Sequence, residues 1–412
     1  MKLLTIASIY PSRQLPQEGR SVYHLDRGLH RIGVDGTTLV LRPWAPRWLA
    51  RRVGRWQHLA AAEPLAGAGE HGTVVFGRYL HLPRDRHSDR NARFMTRRAL
   101  GLIRRRGLRF DLVHGQSVYT TALSAFRVAR TCGVPFVLTL RDDLSHLDRL
   151  LESGGGSLRA RYDEMFRHVS AAFSHGPAID RDVRRRVAGN PSVHVVLAPN
   201  GVDVEGIEDI LAALDPPRSR PWGRIVSVGN LYRYKGIHEN LRALKLLDDR
   251  GVRSWRYTIV GGGPYREELR ALADDLELAD RVRLTGRVSY AEAIRAISEA
   301  DIFCLPSWLE PFGNVYAEAA VCGKPAIGCR GFGAELTIAH RETGLLVPPK
   351  SVPAVADALE SLLAHPGKAR ELGERARRHV RRFTWERTAG LYHDVFEQLL
   401  SRKPPGGDPR RC

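Results

Sequence analysis

Short, almost wholly apolar runs alternate along the chain with longer stretches in which apolar residues return every third or fourth position. Residues 3–9, 37–41, 73–76, 111–114, 135–140 and 171–175 in the first half read as buried strands, as do 224–228, 257–260, 281–284 and 302–305 in the second. Helical spacing fills the intervals. Ser21 is a candidate cap for a helix carrying Val22, Leu25, Leu29 and Ile32, and further helices are expected over 118–132, 158–172 and 290–300. Ile237, Leu241, Leu244 and Leu247 line one face of another. Strand and helix in alternation, with short connections, specify a doubly wound parallel sheet.

At 412 residues with 43% apolar side chains, the chain is long enough for two cores of ordinary size. No run reaches the roughly 18 apolar residues of a membrane span, and the apolar start Met1–Tyr10, ended by Pro11, reads as a first strand and not a leader. The five cysteines have no C-x-x-C spacing, so a reducing cytoplasm and no structural metal are expected.

A formal charge of +19 makes the surface attractive to anions of every kind, whether nucleic acid, anionic lipid or phosphorylated substrate. Two segments concentrate it. Arg42, Trp44, Arg47, Trp48, Arg51, Arg52, Arg55 and Trp56 interleave guanidinium and indole, as suits a membrane interface and equally a single strand of nucleic acid. Residues 84–109 add ten arginines around Phe94, Met95, Leu100 and Ile103. Either block alone reads as well as a solvated helix face; together they argue for a peripheral anionic surface, with a membrane preferred and no nucleic acid expected.

Candidate chemistry gathers in residues 301–325. Pro306 and Ser307 stop the apolar run 302–305, Glu310 falls in the loop that follows, and Glu318 lies eight residues on, in a segment whose Val315, Ala319 and Cys322 suit a helix packed on a sheet. Gly313, between the carboxylates, permits close approach of backbone to ligand, and the free N–H groups of the first helical turn favour an anion. Lys235 precedes Gly236 at another helix start, where an ammonium group and N–H groups together hold a diphosphate. Each of these residues taken singly is more often merely solvated.

The run EPFGNVYAEAAVCGKP closely resembles the E-P-F-G-x-x-x-x-E-A-x-x-x-G-x-P signature of the retaining glycosyltransferases of family 4, which have the GT-B fold. That resemblance implies two Rossmann-like domains facing a cleft and spans nearly the whole chain. It gives Glu310 to the donor sugar, Glu318 to the ribose hydroxyls, and the backbone of Phe312, Gly313, Asn314 and Val315 to sugar and phosphate oxygens. GNLYRYKG matches the family's G-R-L-x-x-x-K-G, with Lys235 as the phosphate-binding lysine; Asn230 stands in place of the usual arginine, and Arg233 is the candidate substitute. Gly263 of GGGP, Arg287 and Val288 fall at nucleotide- and base-binding positions, Gly19 at the amino-terminal glycine, and His114 of DLVHG at the acceptor side.

Where the family often has T-x-H-G, this chain has Arg141, which either binds an anionic acceptor group or pairs with Asp142 or Asp143. The run PNGVD, 199–203, resembles the loop before the domain crossing. The expected division is an acceptor domain over 1–205, a donor domain over 206–385 with a linker near 215–222, a helix at 386–401 returning to the first domain, and a disordered tail at 402–412.

The resemblance thus implies a retaining glycosyltransferase that moves a sugar from UDP, GDP or another nucleotide to a saccharide or lipid-linked acceptor, without metal or other cofactor, at the cytoplasmic face of the membrane. Cell-surface polysaccharide or glycoconjugate synthesis is the expected setting. No D-x-D motif stands in a catalytic context and no side-chain nucleophile is evident. Asn230 keeps open an alternative, a degenerate protein of the same fold that binds nucleotide or anionic surfaces without catalysis. A nicotinamide dehydrogenase is disfavoured because no G-x-G-x-x-G follows the first strand.

Overall fold

The computed structural model describes residues 1–11, 18–46, 48, 51, 72–81, 89–141, 144–153, 155–214 and 221–402. Arg47, Arg52, Arg55, Trp56, Asp142, Asp143, the first part of the 84–109 block, most of the 215–222 linker and the tail after Arg402 lie outside them.

The chain divides into two compact units. The first comprises Met1–His175 and Ile179–Gly201 together with the chain from Trp385 onward; the second comprises Gly176–Ala178 and Val202–Thr384.

Among the described residues of the first unit, seven parallel strands lie in the order β3-β2-β1-β4-β5-β6-β7: β1 Lys2–Ala7, β2 Asp35–Trp44, β3 Thr73–Leu80, β4 Leu112–Gln116, β5 Phe136–Leu140, β6 Ala171–Ser174 and β7 His194–Leu197. Strands β4, β5 and β6 are buried at every position, as expected of a parallel sheet covered on both faces; this is why β5 and β6 read as largely apolar runs, while β4 carries His114 and Gln116 within its buried length.

Strand β2 continues to Trp44, past the expected end at Leu41, because Arg42, Pro43 and Trp44 pair with Arg78, Tyr79 and Leu80 of β3. Strand β1 stops opposite Val40, so the missing N–H of Pro43 interrupts no ladder on that side. The helix expected over 158–172 lies three to four residues earlier, Gly155–His168, since the Ser170 N–H donates to the Phe136 carbonyl and the chain from there belongs to the sheet. The helix Trp385–Ser401 packs in this unit, with Tyr392 stacked on Phe173 at 3.7 Å between ring centroids and Trp385 stacked on His24.

The second unit has six parallel strands in the order β10-β9-β8-β11-β12-β13: β8 Arg224–Val228, β9 Arg256–Val260, β10 Val282–Gly286, β11 Ile302–Cys304, β12 Ala326–Cys329 and β13 Gly344–Val347. Helices flank this sheet too, and a continuous apolar core joins them to it. A polar knot sits inside that core: Asn240 donates to the Tyr257 hydroxyl at 2.9 Å and the Cys304 carbonyl at 3.0 Å, tying a helix to β9 and β11. Asp301 accepts from the Gly223 and Arg224 N–H groups and fixes the start of β8. Among the described residues, no helix is long and apolar enough to cross a membrane.

Candidate functional site

The second unit gathers its functional side chains at the carboxyl ends of β10, β9, β8 and β11, where an open α/β sheet binds ligands. After β8, Leu231 plunges into the core, its N–H donating to the Gly262 carbonyl while its own carbonyl accepts from Tyr265. The chain then makes one tight turn, Arg233–Lys235, and Gly236, in the left-handed region at φ 73°, starts the helix Ile237–Asp249. Arg233 is exposed, as is Asn230, whereas Lys235 is half-buried.

The loop after β11 is stitched to that turn. The Trp308 N–H and the Ser307 hydroxyl both donate to the Tyr234 carbonyl, at 3.0 and 3.2 Å. This brings Glu310 against Lys235, and carboxylate and ammonium form an ion pair with only 12% and 13% of the two side chains exposed. The Lys235 ammonium also stands 5.6 Å from the centre of the Tyr234 ring. Sequence reasoning gave the two residues separate ligand contacts; the fold makes them partners.

Phe312 is buried in the core, and Gly313 adopts φ 75° as the cap of the helix Asn314–Val321. A Cβ there would lie 2.5 Å from the Tyr316 ring and 2.9 Å from Glu310 Cγ, so glycine is required both by conformation and by space. Gly313 supplies no side-chain cap to the first turn, which begins at exposed Asn314 and half-buried Val315. One turn further, Glu318 is half-buried and accepts a hydrogen bond from the Tyr290 hydroxyl at 3.3 Å.

Tyr290 opens a helix capped by Ser289 and Glu292 in a reciprocal box. Just before it, Arg287 lies over Gly262 and Val288 is 38% exposed. Gly263 sits against the Leu231 backbone, where a Cβ would come within 2.4 Å of the carbonyl oxygen. Lys235, Glu310, Gly313 and Glu318, with Gly263, Arg287 and Val288, thus belong to loops and helix starts at one edge of one sheet.

The first unit carries a separate polar group at the carboxyl ends of β4 to β7. His114 is fully buried, its Nε2 2.6 Å from the Thr139 hydroxyl, which is in turn 3.0 Å from the Tyr392 hydroxyl. Burial, and then the Arg141 charge, push its pKa down to about 3, so the ring is neutral. Arg141 donates to Gln116 at 2.9 Å and Asn200 at 3.0 Å. Gly19 starts the helix Arg20–Arg31 at φ 69°, and a Cβ on it would clash with the backbone of Ile9 and Tyr10 at 2.7–2.8 Å.

Tyr290, Tyr234, Gln116, Asn200 and Tyr392 were not singled out from sequence. Only pairings between distant segments identify them, and no local spacing encodes those. Among the described residues, no group of three or more His, Cys, Asp or Glu side chains is arranged to hold a metal ion.

Comparison with known proteins adds two family matches, which together span most of the chain: "Glycosyltransferase Family 4" over residues 19–205 and "Glycosyl transferases group 1" over residues 223–379. The chain is similar to a D-inositol 3-phosphate glycosyltransferase of Arthrobacter sp. (strain FB24), 29% identical over 73% of this chain and 75% of that one. It is 33% identical to a GDP-mannose-dependent alpha-(1-6)-phosphatidylinositol monomannoside mannosyltransferase of Mycobacterium tuberculosis (strain ATCC 25618 / H37Rv), over 51% of this chain and 57% of the relative, so that alignment spans little more than half of each.

Two solved structures share the fold. Sucrose-phosphate synthase of Thermosynechococcus elongatus aligns with a TM-score of 0.73 at 20% identity, over 98% of this chain and 100% of the other. Anabaena HepE in complex with UDP aligns with a TM-score of 0.67 at 16% identity, over 97% and 100%.

Proposed function

Because the chain belongs to the group 1, family 4 glycosyltransferases and has their GT-B fold, we propose that this transferase retains anomeric configuration, needs no metal, and divides its substrates between the units. The nucleotide sugar goes to the second unit and the acceptor to the first. The observation that carries the donor assignment is the close grouping of Lys235, Glu310, Gly313 and Glu318 around one loop and one helix start.

Cleavage of the sugar–phosphate bond leaves negative charge on the diphosphate, so the site must present fixed positive charge and N–H dipoles there. Lys235 supplies the first and the start of the helix Asn314–Val321 the second. Arg233, exposed in the same turn as Lys235, supplies the cation that Asn230 lacks. Glu310, held by Lys235, orients the donor sugar through its hydroxyls. Glu318, steadied by Tyr290, takes the ribose hydroxyls, and Arg287 with Val288 borders the base.

In the first unit, buried His114 acts by position, holding Thr139 and Gln116 and through Gln116 setting Arg141. The acceptor we favour is a saccharide or lipid-linked glycan, made for a cell-surface glycoconjugate. The inositol phosphate and phosphatidylinositol mannoside named for the relatives are the acceptors to try first, with UDP- and GDP-sugars as donors. Exposed Arg90, Arg93, Arg97, Arg104, Arg105 and Arg106 on the helix Asp89–Arg106 supply a basic contact for an anionic membrane.

The deciding experiment is a thermal-shift screen against UDP, GDP, ADP and TDP, with and without magnesium, on the wild type, Lys235→Ala and Glu318→Ala. A ligand that binds only the native state raises the midpoint. One diphosphate is expected to do so without metal, and both substitutions to abolish the rise. A rise that requires magnesium removes the metal-independent part of the proposal; no rise with any nucleotide removes the donor site.

A further inference from the structure

His175 follows β6 directly and is 1% exposed. Its Nδ1 lies 2.6 Å from the Ala198 carbonyl oxygen, an atom that can only accept, so Nδ1 carries the proton and Nε2 presents a lone pair. That Nε2 is buried and has no hydrogen-bond partner. A buried acceptor left bare is costly, and native structures rarely tolerate one unless something else completes it.

Strand register fixes its surroundings. Leu140 pairs with Ser174, and Ser174 with Leu197, so the next residue in each strand, Arg141, His175 and Ala198, follows in the same row at the carboxyl end of the sheet. Asn200, two residues beyond Ala198, accepts from Arg141. This edge is where an open α/β sheet takes its ligands, and it is the edge assigned above to the acceptor.

We propose that His175 Nε2 accepts a hydrogen bond from a hydroxyl of the acceptor, and that the acceptor end received here is a polyol, a sugar or cyclitol ring, and not a bare anion. This rests on the reading of the first unit as the acceptor unit. The selectivity follows from proton inventory: a neutral imidazole with Nδ1 committed to Ala198 can only accept at Nε2, an alcohol can donate, and a carboxylate, a sulfate or a fully ionised phosphate ester cannot. Burial, and then the neighbouring Arg141 guanidinium, keep the imidazole from charging, and any anionic substituent is left to the arginine.

The test follows the histidine nitrogens by NMR in protein labelled with ¹⁵N-histidine and saturated with the nucleoside diphosphate found by thermal shift. The probes are myo-inositol, D-inositol 3-phosphate and sulfate, and His175→Asn identifies the His175 signals. The asparagine keeps an N–H for Ala198 and lacks an acceptor at the Nε2 position; His175→Gln restores an acceptor oxygen near it.

Either inositol is expected to move the Nε2 resonance upfield while sulfate leaves it in place. His175→Asn is expected to weaken polyol binding about tenfold with His175→Gln recovering part of it. Nucleotide affinity should stay unchanged in both variants. An Nε2 resonance that no polyol moves, that sulfate moves equally, or that already has a hydrogen-bonded shift in the probe-free protein overturns the proposal. Failure of the wild type to bind any nucleotide is a different outcome and strikes at the functional reading itself.

Discussion

The Lys235 ammonium and the Glu310 carboxylate form an ion pair across 75 residues of sequence, joining the turn after β8 to the loop after β11. Each side chain is largely withdrawn from water, so removing one leaves the other desolvated and uncompensated. Lys235→Ala is therefore expected to cost about 1–3 kcal/mol of stability in the second unit in addition to its effect on turnover. Glu310→Gln keeps a hydrogen-bond acceptor for Lys235 and should retain nucleotide binding while lowering kcat at least about a hundredfold. Calorimetric unfolding and kcat measured on the same preparations separate the two effects.

Gly313 permits a narrower substitution. Gly313→Ala forces φ 75° on a residue with a Cβ and drives that Cβ into Tyr316 and Glu310. A loss of about 1–3 kcal/mol is expected, with kcat falling more than nucleotide affinity because Glu310 is displaced. Chemical denaturation with a donor titration reads both, and an alanine variant of full activity removes Gly313 from the site.

Glu318 and Tyr290 are coupled through a 3.3 Å hydrogen bond. Glu318→Ala should weaken a ribonucleoside diphosphate about tenfold or more and a 2′,3′-dideoxy analogue hardly at all, since hydrogen bonds to a carboxylate contribute about 1.5–3 kcal/mol. Tyr290→Phe should give a smaller loss of the same kind. Isothermal titration with the two nucleotides decides; equal losses for both would move the ribose elsewhere.

Stability against pH reports on three buried groups of the first unit. Burial raises the Asp26 pKa to about 7, despite hydrogen bonds from Thr38 and Tyr10 that act the other way. Burial and Arg141 depress His114 to about 3 and His175 well below its ordinary value. A raised group contributes stability that is complete below its unfolded pKa and lost as pH rises through the folded one. A depressed histidine does the reverse, losing stability as pH falls below about 6.5.

Between about pH 4 and 6 unfolding therefore takes up a proton at His114 and releases one at Asp26, two contributions that cancel, while His175 adds uptake in the same direction as His114. The three together make stability rise with pH. Asp26→Asn should steepen that rise by about 1.4 kcal/mol per pH unit and stabilise the protein above pH 7. Unfolding free energies over this range test both, and an unchanged slope would place Asp26 in contact with solvent.

Asn240 has no part in the proposed chemistry, yet its amide donates to the Tyr257 hydroxyl and the Cys304 carbonyl inside the core. Asn240→Leu takes one partner from each, leaving Ser227 as the remaining one, and should destabilise the second unit by about 1–3 kcal/mol without changing nucleotide affinity at low temperature.

The sequence determined the architecture by itself and set most residues of the proposed donor site within two short runs. Uniformly apolar strands alternating with amphipathic helices are the local signature of covered parallel sheets, and EPFGNVYAE and LYRYKG place their chemistry at fixed offsets within single loops. Offsets of that kind survive in one dimension because a strand end, a tight turn and a helix start are all local.

Contacts between loops were decided only by tertiary structure. Lys235 meets Glu310 because strand order β8-β11 sets two distant loops side by side. Tyr290 reaches Glu318, and Arg141 and His175 stand in one row, for the same reason: register relates strands far apart in sequence. Burial was likewise invisible beforehand. His114 read as a crevice residue, whereas its hydrogen bond to Thr139 and its packing against Tyr392 and Phe396 of the last helix enclose it completely, and only the return of that helix could reveal it.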